Sequence, residues 1–358
     1  MKAIQIQLSP TKTQVKLLKT QIEEHRCLYN RCLELKIIAY KTDKTNLSAF
    51  DLIKSEIKNF PRIVSNYSSM QQTIRRLGKT YDSFFKKHND GQGFPRFKSV
   101  DRFNTVEYGK YGDGNKIKNN YLYLQNIGLI KCLWFGDIDQ SVIRCISVTR
   151  RADKFFVNIT IESSTTAHVP TTKQIGIDFG LKTFVTTSDG DKFESPKFHK
   201  KSLKEEAKLH RRIHKSPKKS KLRQKHKKSL VKLQRKIKNR RKDFNHKLSR
   251  KLINENDFIA MEDINLKSLV SDIQNINRTY QDVAIGQFKN FLTYKAENAG
   301  KVLVKVNPSY TSQECYNCRK LTPKTLAERE HICTCGYSEC RDINAAKNIL
   351  RRGLASLG

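Results

Sequence analysis

The sequence predicts a chain of two unlike halves: a small β-barrel interrupted by a helical lobe, then an α/β domain. Three observations predict it. Apolar and polar residues alternate at residues 4–8, 119–125 and 145–163, the period of half-buried strands. From Thr11 to about Lys87 the apolar spacing is helical instead. Beyond residue 174, strand-like and helix-like runs take turns, which is the order of an α/β core.

In the first half, Ile4, Ile6 and Leu8 alternate with Lys and Gln neighbours. Pro10 and Thr11 end that strand, and Thr11 with Gln14 has capping-box spacing, so a helix starts there. Leu18, Ile22, His25, Tyr29 and Leu33 continue it, and the glycines of "NDGQGFPRFKS" (89–99) close the helical region. "NNYLYLQ" reads as a strand and "CISVTRRADKFFVNITIES" as a hairpin, with Phe155, Val157, Ile159 and Ile161 on one face. The polar connector "SSTTAHVPTTK" (163–173) marks the boundary between halves.

The second half opens with the strand around Ile175 and Ile177, and Ser188-Asp189-Gly190-Asp191 supplies a hairpin turn. Residues 197–251 hold 25 Lys and Arg but three acids, Glu205, Glu206 and Asp243. Leu222, Leu230, Leu233, Ile237, Phe244, Leu248 and Leu252 keep helical spacing there, broken near Ser216-Pro217. This predicts a helical hairpin with one apolar seam and a cationic outer face. "DFIAMEDINL" (257–266), a helix around 281–299 and "KVLVKV" (301–306) complete the core before a run of cysteines.

Charge narrows the function. The 358 residues carry 70 Lys and Arg against 34 Asp and Glu, a net charge of +36. That surplus predicts a polyanionic partner, since neutralising phosphates releases condensed counterions. With 37% apolar residues, 18 Phe and 13 Tyr, the chain is no disordered tail. It shows neither an eighteen-residue apolar stretch nor a signal peptide, so the expectation is a soluble, cytoplasmic protein, nucleoid-associated in a prokaryotic host.

Three acids stand where α/β sheets place reactive groups. Asp178 closes "IGIDFG", Glu262 closes "FIAMED", and Asp342 begins the final helix. Phosphodiester hydrolysis commonly uses carboxylates from separate elements to hold two Mg2+ or Mn2+ ions about 4 Å apart. Taken singly, Asp178 before Phe179-Gly180 also suits a turn and Asp342 also suits a helix cap. Glu262, directly after a buried strand, needs a partner.

"GIDFGLKTFVTTSDG", "FIAMEDINLKSL", "SYTSQECYNC" and "CRDINAAKNIL", in that order, resemble the TnpB family, and "GFPRFKS" upstream resembles a further family signature. These are transposon-encoded RNA-guided DNA endonucleases, related to type V CRISPR nucleases and Fanzor proteins. The resemblance spans essentially the whole chain. It implies an RNase H-like RuvC nuclease core with an inserted zinc ribbon, preceded by a wedge-like β-barrel holding a helical recognition lobe. Its catalytic triad maps onto Asp178, Glu262 and Asp342. It also implies a guide RNA from the transposon end, one protein per guide, and double-stranded target DNA beside a short recognition motif. Where family members commonly carry Asp-Arg-Asp, this chain has Cys340-Arg341-Asp342; the last Asp, the expected metal ligand, is retained. The expected domains are 1–10 with 91–170 (barrel), 11–90 (helical lobe), 171–306 with 339–358 (nuclease, including the basic hairpin 197–251) and 307–338 (zinc ribbon).

Cys315-x2-Cys318 and Cys333-x-Cys335 lie fourteen residues apart, close to a zinc-ribbon arrangement of two thiolate pairs. The second pair has one intervening residue instead of two, and Cys340 stands near enough to compete. Gly336, placed to form the turn after a knuckle, favours Cys315, Cys318, Cys333 and Cys335 as ligands. A closed tetrathiolate is structural, with substrate contacts left to Lys320, Lys324 and Arg329. Tyr310 and Tyr316 are candidate base-stacking platforms, although ordinary core or zinc-domain packing is the expected role of both. Lys218, Lys219, Lys225 and Lys228 on the basic hairpin are candidate phosphate contacts. An RNA-guided DNA-binding regulator without cleavage would use the same charge, as would a ribosomal or RNA-packaging protein. Neither needs all three acids.

Overall fold

The computed structural model describes residues 1–85, 93–133, 138–162, 170–180, 183–264, 284–325 and 328–357. The start of the glycine-rich segment (89–92) and residues 163–169 of the connector lie outside the described residues. The chain divides into two compact units, residues 1–163 and 164–358. No helix among the described residues is long and apolar enough to cross a membrane.

In the first unit, strand β1 (Lys2–Ser9) leads into helices α1 (Lys12–Asp43), α2 (Ala49–Asn59) and α3 (Tyr67–Phe85). The Thr11–Gln14 capping box forms as read: Gln14 N–H donates to Thr11 Oγ1, and Thr11 N–H to Gln14 Oε1. Strands β2 (Thr105–Tyr108), β3 (Asn115–Lys118), β4 (Tyr121–Leu124), β5 (Gly128–Cys132), β6 (Ile143–Arg151) and β7 (Lys154–Ile161) follow. They join β1 in a seven-stranded antiparallel sheet ordered β2-β6-β7-β1-β5-β4-β3. One apolar core includes Ile6, Leu8, Phe155, Val157 and Ile159 of the sheet and Leu18, Ile22, Leu33 and Met70 of the helices. Polar side chains buried beneath the helices are paired. His25 is bracketed by Thr73 Oγ1 and Ser69 Oγ, and the Glu24 carboxylate accepts from the main chain of residues 63–65 just before α3. Burial pushes the His25 imidazole down to about 3, so it is neutral at ordinary pH.

The second unit is built on strands β8 (Gln174–Phe179), β9 (Thr183–Thr187), β10 (Lys192–Glu194), β11 (Phe258–Glu262) and β12 (Val302–Val306), ordered β10-β9-β8-β11-β12. The first three form an antiparallel meander, and β11 and β12 add parallel to β8. Between β10 and β11 come helices α4 (Phe198–Lys215) and α5 (Lys221–Glu255). Helix α6 (Ile285–Asn298) precedes β12, a two-strand ribbon of β13 (Glu330–Ile332) and β14 (Ser338–Cys340) follows it, and α7 (Arg341–Ala355) is last.

The apolar seam of α4 and α5 differs from its expectation. Leu209, Leu233 and Ile237 close one small cluster with Phe198 and Leu230, while Phe244, Leu248 and Leu252 belong to the main core of the unit. Leu222 takes no part and is 53% exposed, because the turn at 216–220 is held by polar contacts: the Arg223 guanidinium donates to the carbonyls of Ile213 and Ser216. Buried Lys295 of α6 anchors α5, donating to His246 O at 2.7 Å and Ser249 Oγ at 2.6 Å.

Candidate active site and cysteine cluster

Strand register places the first two acids. Ile177 pairs with Met261 across the parallel β8–β11 ladder, so the next residues, Asp178 and Glu262, stand at one level of neighbouring strands. Such neighbours lie about 4.8 Å apart.

Helix α7 brings the third. A Cβ on Gly176 would lie 2.0 Å from Ala346 O, and one on Gly353 would lie 2.6 Å from the Ala260 Cβ. The helix therefore rests directly on β8 and β11. Gly176 and Asp178 share a face of their strand, as do Ala260 and Glu262, because side chains alternate. Both acids thus project on the side that carries α7. Asp342, one turn before Ala346, sits at the helix end over them. It lies inside the first turn, after Cys340, which holds the cap position without a side-chain capping hydrogen bond.

The electrostatics fit this convergence. Burial pushes the Asp178 carboxyl well above its usual range, the charges of Glu262 and Asp342 push it further, and Arg341 opposes them. Glu262 is also raised by burial, against a hydrogen bond from Thr311 and the cations Lys289 and Arg352. Arg341 Nε stands 3.6 Å from Asp342 Oδ1. Carboxylates that converge at a partly enclosed strand end attract a hard cation with oxygen preference, so the donor set suits Mg2+ or Mn2+.

The close seat of α7 has a testable consequence. Gly176→Ala drives a methyl into a main-chain carbonyl, so the helix itself must move. It is expected to destabilise the fold by about 3 kcal/mol and to slow cleavage by shifting Asp342. Thermal melting and a single-turnover assay measure the two effects.

Four sulfurs cluster elsewhere in this unit. Sγ atoms of Cys315, Cys318, Cys333 and Cys335 all lie within 4.8 Å of one another, with Cys315–Cys335 at 3.8 Å and Cys318–Cys333 at 3.5 Å. Tetrahedral thiolates at the usual zinc–sulfur distance of ~2.3 Å stand about 3.8 Å apart. Main-chain N–H groups of Cys335 and Tyr337 face the sulfurs of Cys333 and Cys335 and draw both thiols down, whereas the Lys320 N–H at Cys318 is outweighed by the crowding thiols, which hold that thiol up. The cluster fits zinc. Cys340 stands outside it, its Sγ 3.1 Å from Lys192 Nζ.

The remaining candidates divide. Lys218 and Lys219 lie exposed in the α4–α5 turn, and Lys225 and Lys228 exposed on α5. Lys320 and Arg329 are exposed, but Lys324 donates to Glu330 O at 2.8 Å. Tyr310 is 60% exposed. Tyr316 packs under Lys347 and Arg351, whose cationic groups lie 5.7 and 5.6 Å from its ring centre, an arrangement that favours the packing role. Sequence reasoning passed over Thr311 and the buried pair Asn344 and Asn348, polar residues whose partners are distant in the chain.

A family model described as a probable transposase, of the IS605 OrfB type, matches residues 156–272, and a Cas12f1-like TNB domain model matches residues 286–349. A protein of Streptomyces pristinaespiralis named "Putative RNA-guided DNA endonuclease" is 29% identical, covering 99% of this chain and 90% of its own length. These matches tie residues 156–272 to the IS605 OrfB transposase model and the chain at large to relatives named as RNA-guided DNA endonucleases. InsQ of Escherichia coli, also named as an RNA-guided DNA endonuclease, is 28% identical over 80% of this chain and 75% of its length. Cas12f1 of Sulfoacidibacillus thermotolerans, a CRISPR-associated endodeoxyribonuclease, is 34% identical over 34% of this chain and 29% of its own. Among solved structures, a mini-RNA-guided CRISPR-Cas endonuclease, Cas-phi3, shares the fold with a TM-score of 0.53 at 11% identity, covering 98% of this chain and 92% of that one. A helix-turn-helix model matches residues 1–45, where the structure has a strand and one continuous 32-residue helix.

Proposed function

We propose that the chain is an RNA-guided DNA endonuclease of a transposon, hydrolysing target DNA at Asp178, Glu262 and Asp342. The convergence of these carboxylates at one end of the β8–β11 pair carries the reading. The sheet order, with numbering restarted at β8, is 3-2-1-4-5 with an antiparallel meander and two parallel additions, which supports an RNase H-like RuvC core. Mg2+ or Mn2+, when bound, supplies an activated water and stabilises the leaving oxygen. The three carboxylates would hold the cations, Arg341 steadies Asp342, and the ribbon, which zinc on Cys315, Cys318, Cys333 and Cys335 would close, guides the chain into α7. In the first unit the seven-stranded sheet serves as the barrel wedge and α1–α3 as the recognition lobe. Helices α4 and α5 offer cations to the phosphates of guide RNA and heteroduplex, an A-form shape read through its backbone. A cleavage-free regulator has no use for three converging acids, two of whose charges push the third carboxyl up.

The test is expression with the gene's flanking DNA, sequencing of the RNA that copurifies, and reprogramming of its guide. Cleavage is expected only where the guide matches a target. Cleavage indifferent to guide sequence, or a protein free of RNA, would refute the proposal. In the same complex, changing Lys218, Lys219, Lys225 and Lys228 to Gln should flatten the salt dependence of affinity by about one unit for each phosphate no longer neutralised. Cleavage by the bound complex should survive.

A further inference from the structure

We propose that Thr311 is a positioning residue for the nuclease: its hydroxyl fixes the Glu262 carboxylate and ties it to the loop leading into the cysteine ribbon. The inference rests on the reading of Glu262 as a metal-holding carboxylate.

Glu262 ends a strand buried at every position, and the residue is itself 6% exposed. Among the described residues its side chain receives one hydrogen bond, from Thr311 Oγ1 to Oε1 at 2.7 Å. A glutamate has three side-chain torsions, so without this anchor its head would sample several rotamers. With it, one carboxylate oxygen is engaged and Oε2 stays open for a cation.

Thr311 is equipped to act as an anchor. Its hydroxyl has one proton and two acceptors in reach, Glu262 Oε1 at 2.7 Å and Pro308 O at 3.0 Å. The shorter bond to the ionised carboxylate is the stronger. Its main chain is held from α7: Asn348 Nδ2 donates to Thr311 O at 3.0 Å and to Glu314 O at 2.6 Å. Asn344 donates to Glu314 O at 2.9 Å and accepts from the Tyr316 N–H at 3.0 Å. Arg351 and Arg352 both bond the Glu314 carboxylate, and Arg352 also takes Ser309 O at 2.7 Å. Both asparagines are fully buried. The helix that brings Asp342 to the site therefore also holds the loop that orients Glu262. Two of the three acids are set from one rigid element, the arrangement a precise site requires.

The experiment compares Thr311→Val, Thr311→Ser and Glu262→Gln in the RNA-bound protein. Mn2+ binding is followed by the electron paramagnetic resonance of free Mn2+, cleavage is measured against Mg2+ concentration, and melting is recorded for each. Thr311→Val keeps shape and loses the hydroxyl. It is expected to raise the metal concentration for half-saturation by about 10–100-fold, the usual loss when an outer partner of a ligand is removed, with its melting temperature unchanged. Thr311→Ser should restore near wild-type metal dependence. If valine disturbs the loop and melting falls, Thr311→Ala must show the same metal shift for the role to stand. Wild-type metal binding in Thr311→Val, with Glu262→Gln inactive, would overturn the positioning role alone. A serine variant as impaired as valine would overturn it too. Wild-type cleavage by Glu262→Gln would instead overturn the reading of Glu262 itself.

Discussion

Glu262→Ala is expected to abolish target cleavage, by at least about 1,000-fold, while RNA-dependent DNA binding stays within about two-fold of wild type. Loss of one metal-holding carboxylate removes several kcal/mol of transition-state stabilisation, and about 4 kcal/mol corresponds to that factor. The fold should not suffer. Glu262 and Asp342 both push the Asp178 carboxyl up, so removing one charge relieves a repulsion that folding otherwise bears. The freed Thr311 hydroxyl still has Pro308 O within 3.0 Å, so no buried donor is orphaned. Asp178→Ala and Asp342→Ala should lose cleavage as fully, since the three act as a unit and their effects do not add. Single-turnover cleavage, a binding isotherm and a melt on each variant check the set. Normal cutting by any one of them would remove that acid from the site.

The sequence displayed the acids but not their meeting. Each could be read at a strand end or helix start because apolar periodicity marks element boundaries locally. Their convergence depends on the β8–β11 register and on α7 settling onto Gly176 of β8 and, through its own Gly353, onto Ala260 of β11, where residues far apart in the chain touch. The long elements were legible for the same local reason: α1 carries its capping box, and β6 and β7 alternate over eight or more residues. Strands of four or five residues such as Thr105–Tyr108, Asn115–Lys118 and Gly128–Cys132 are too short to establish a period. The single seam expected along α4 and α5 splits because the upper hairpin packs on itself and the lower part of α5 packs on the sheet unit. Thr311 left no local signal, since its partner Glu262 is 49 residues away.

Cys318→Ser is expected to release the zinc, disorder the ribbon and reduce cleavage far more than a surface change would. Two strands of three residues cannot sustain themselves in water, and this ribbon has little apolar core of its own. Four thiolates on one zinc ion supply what packing does not, on the order of 10 kcal/mol or more in small zinc modules. The damage should travel. The loop entering Cys315 carries Thr311 to Glu262, and the strand leaving the cluster, β14, runs straight into Arg341 and Asp342 of α7. A slack ribbon therefore loosens two of the three acids together. Cys335→Ser should behave like Cys318→Ser. Cys340→Ser should keep about one zinc per chain, as expected for a closed four-thiolate site, because its sulfur lies beside Lys192 and outside the cluster. Elemental analysis gives the zinc content, and hydrogen exchange over residues 315–342 reports the local order. Zinc retained in Cys335→Ser but lost in Cys340→Ser would put Cys340 among the ligands in its place.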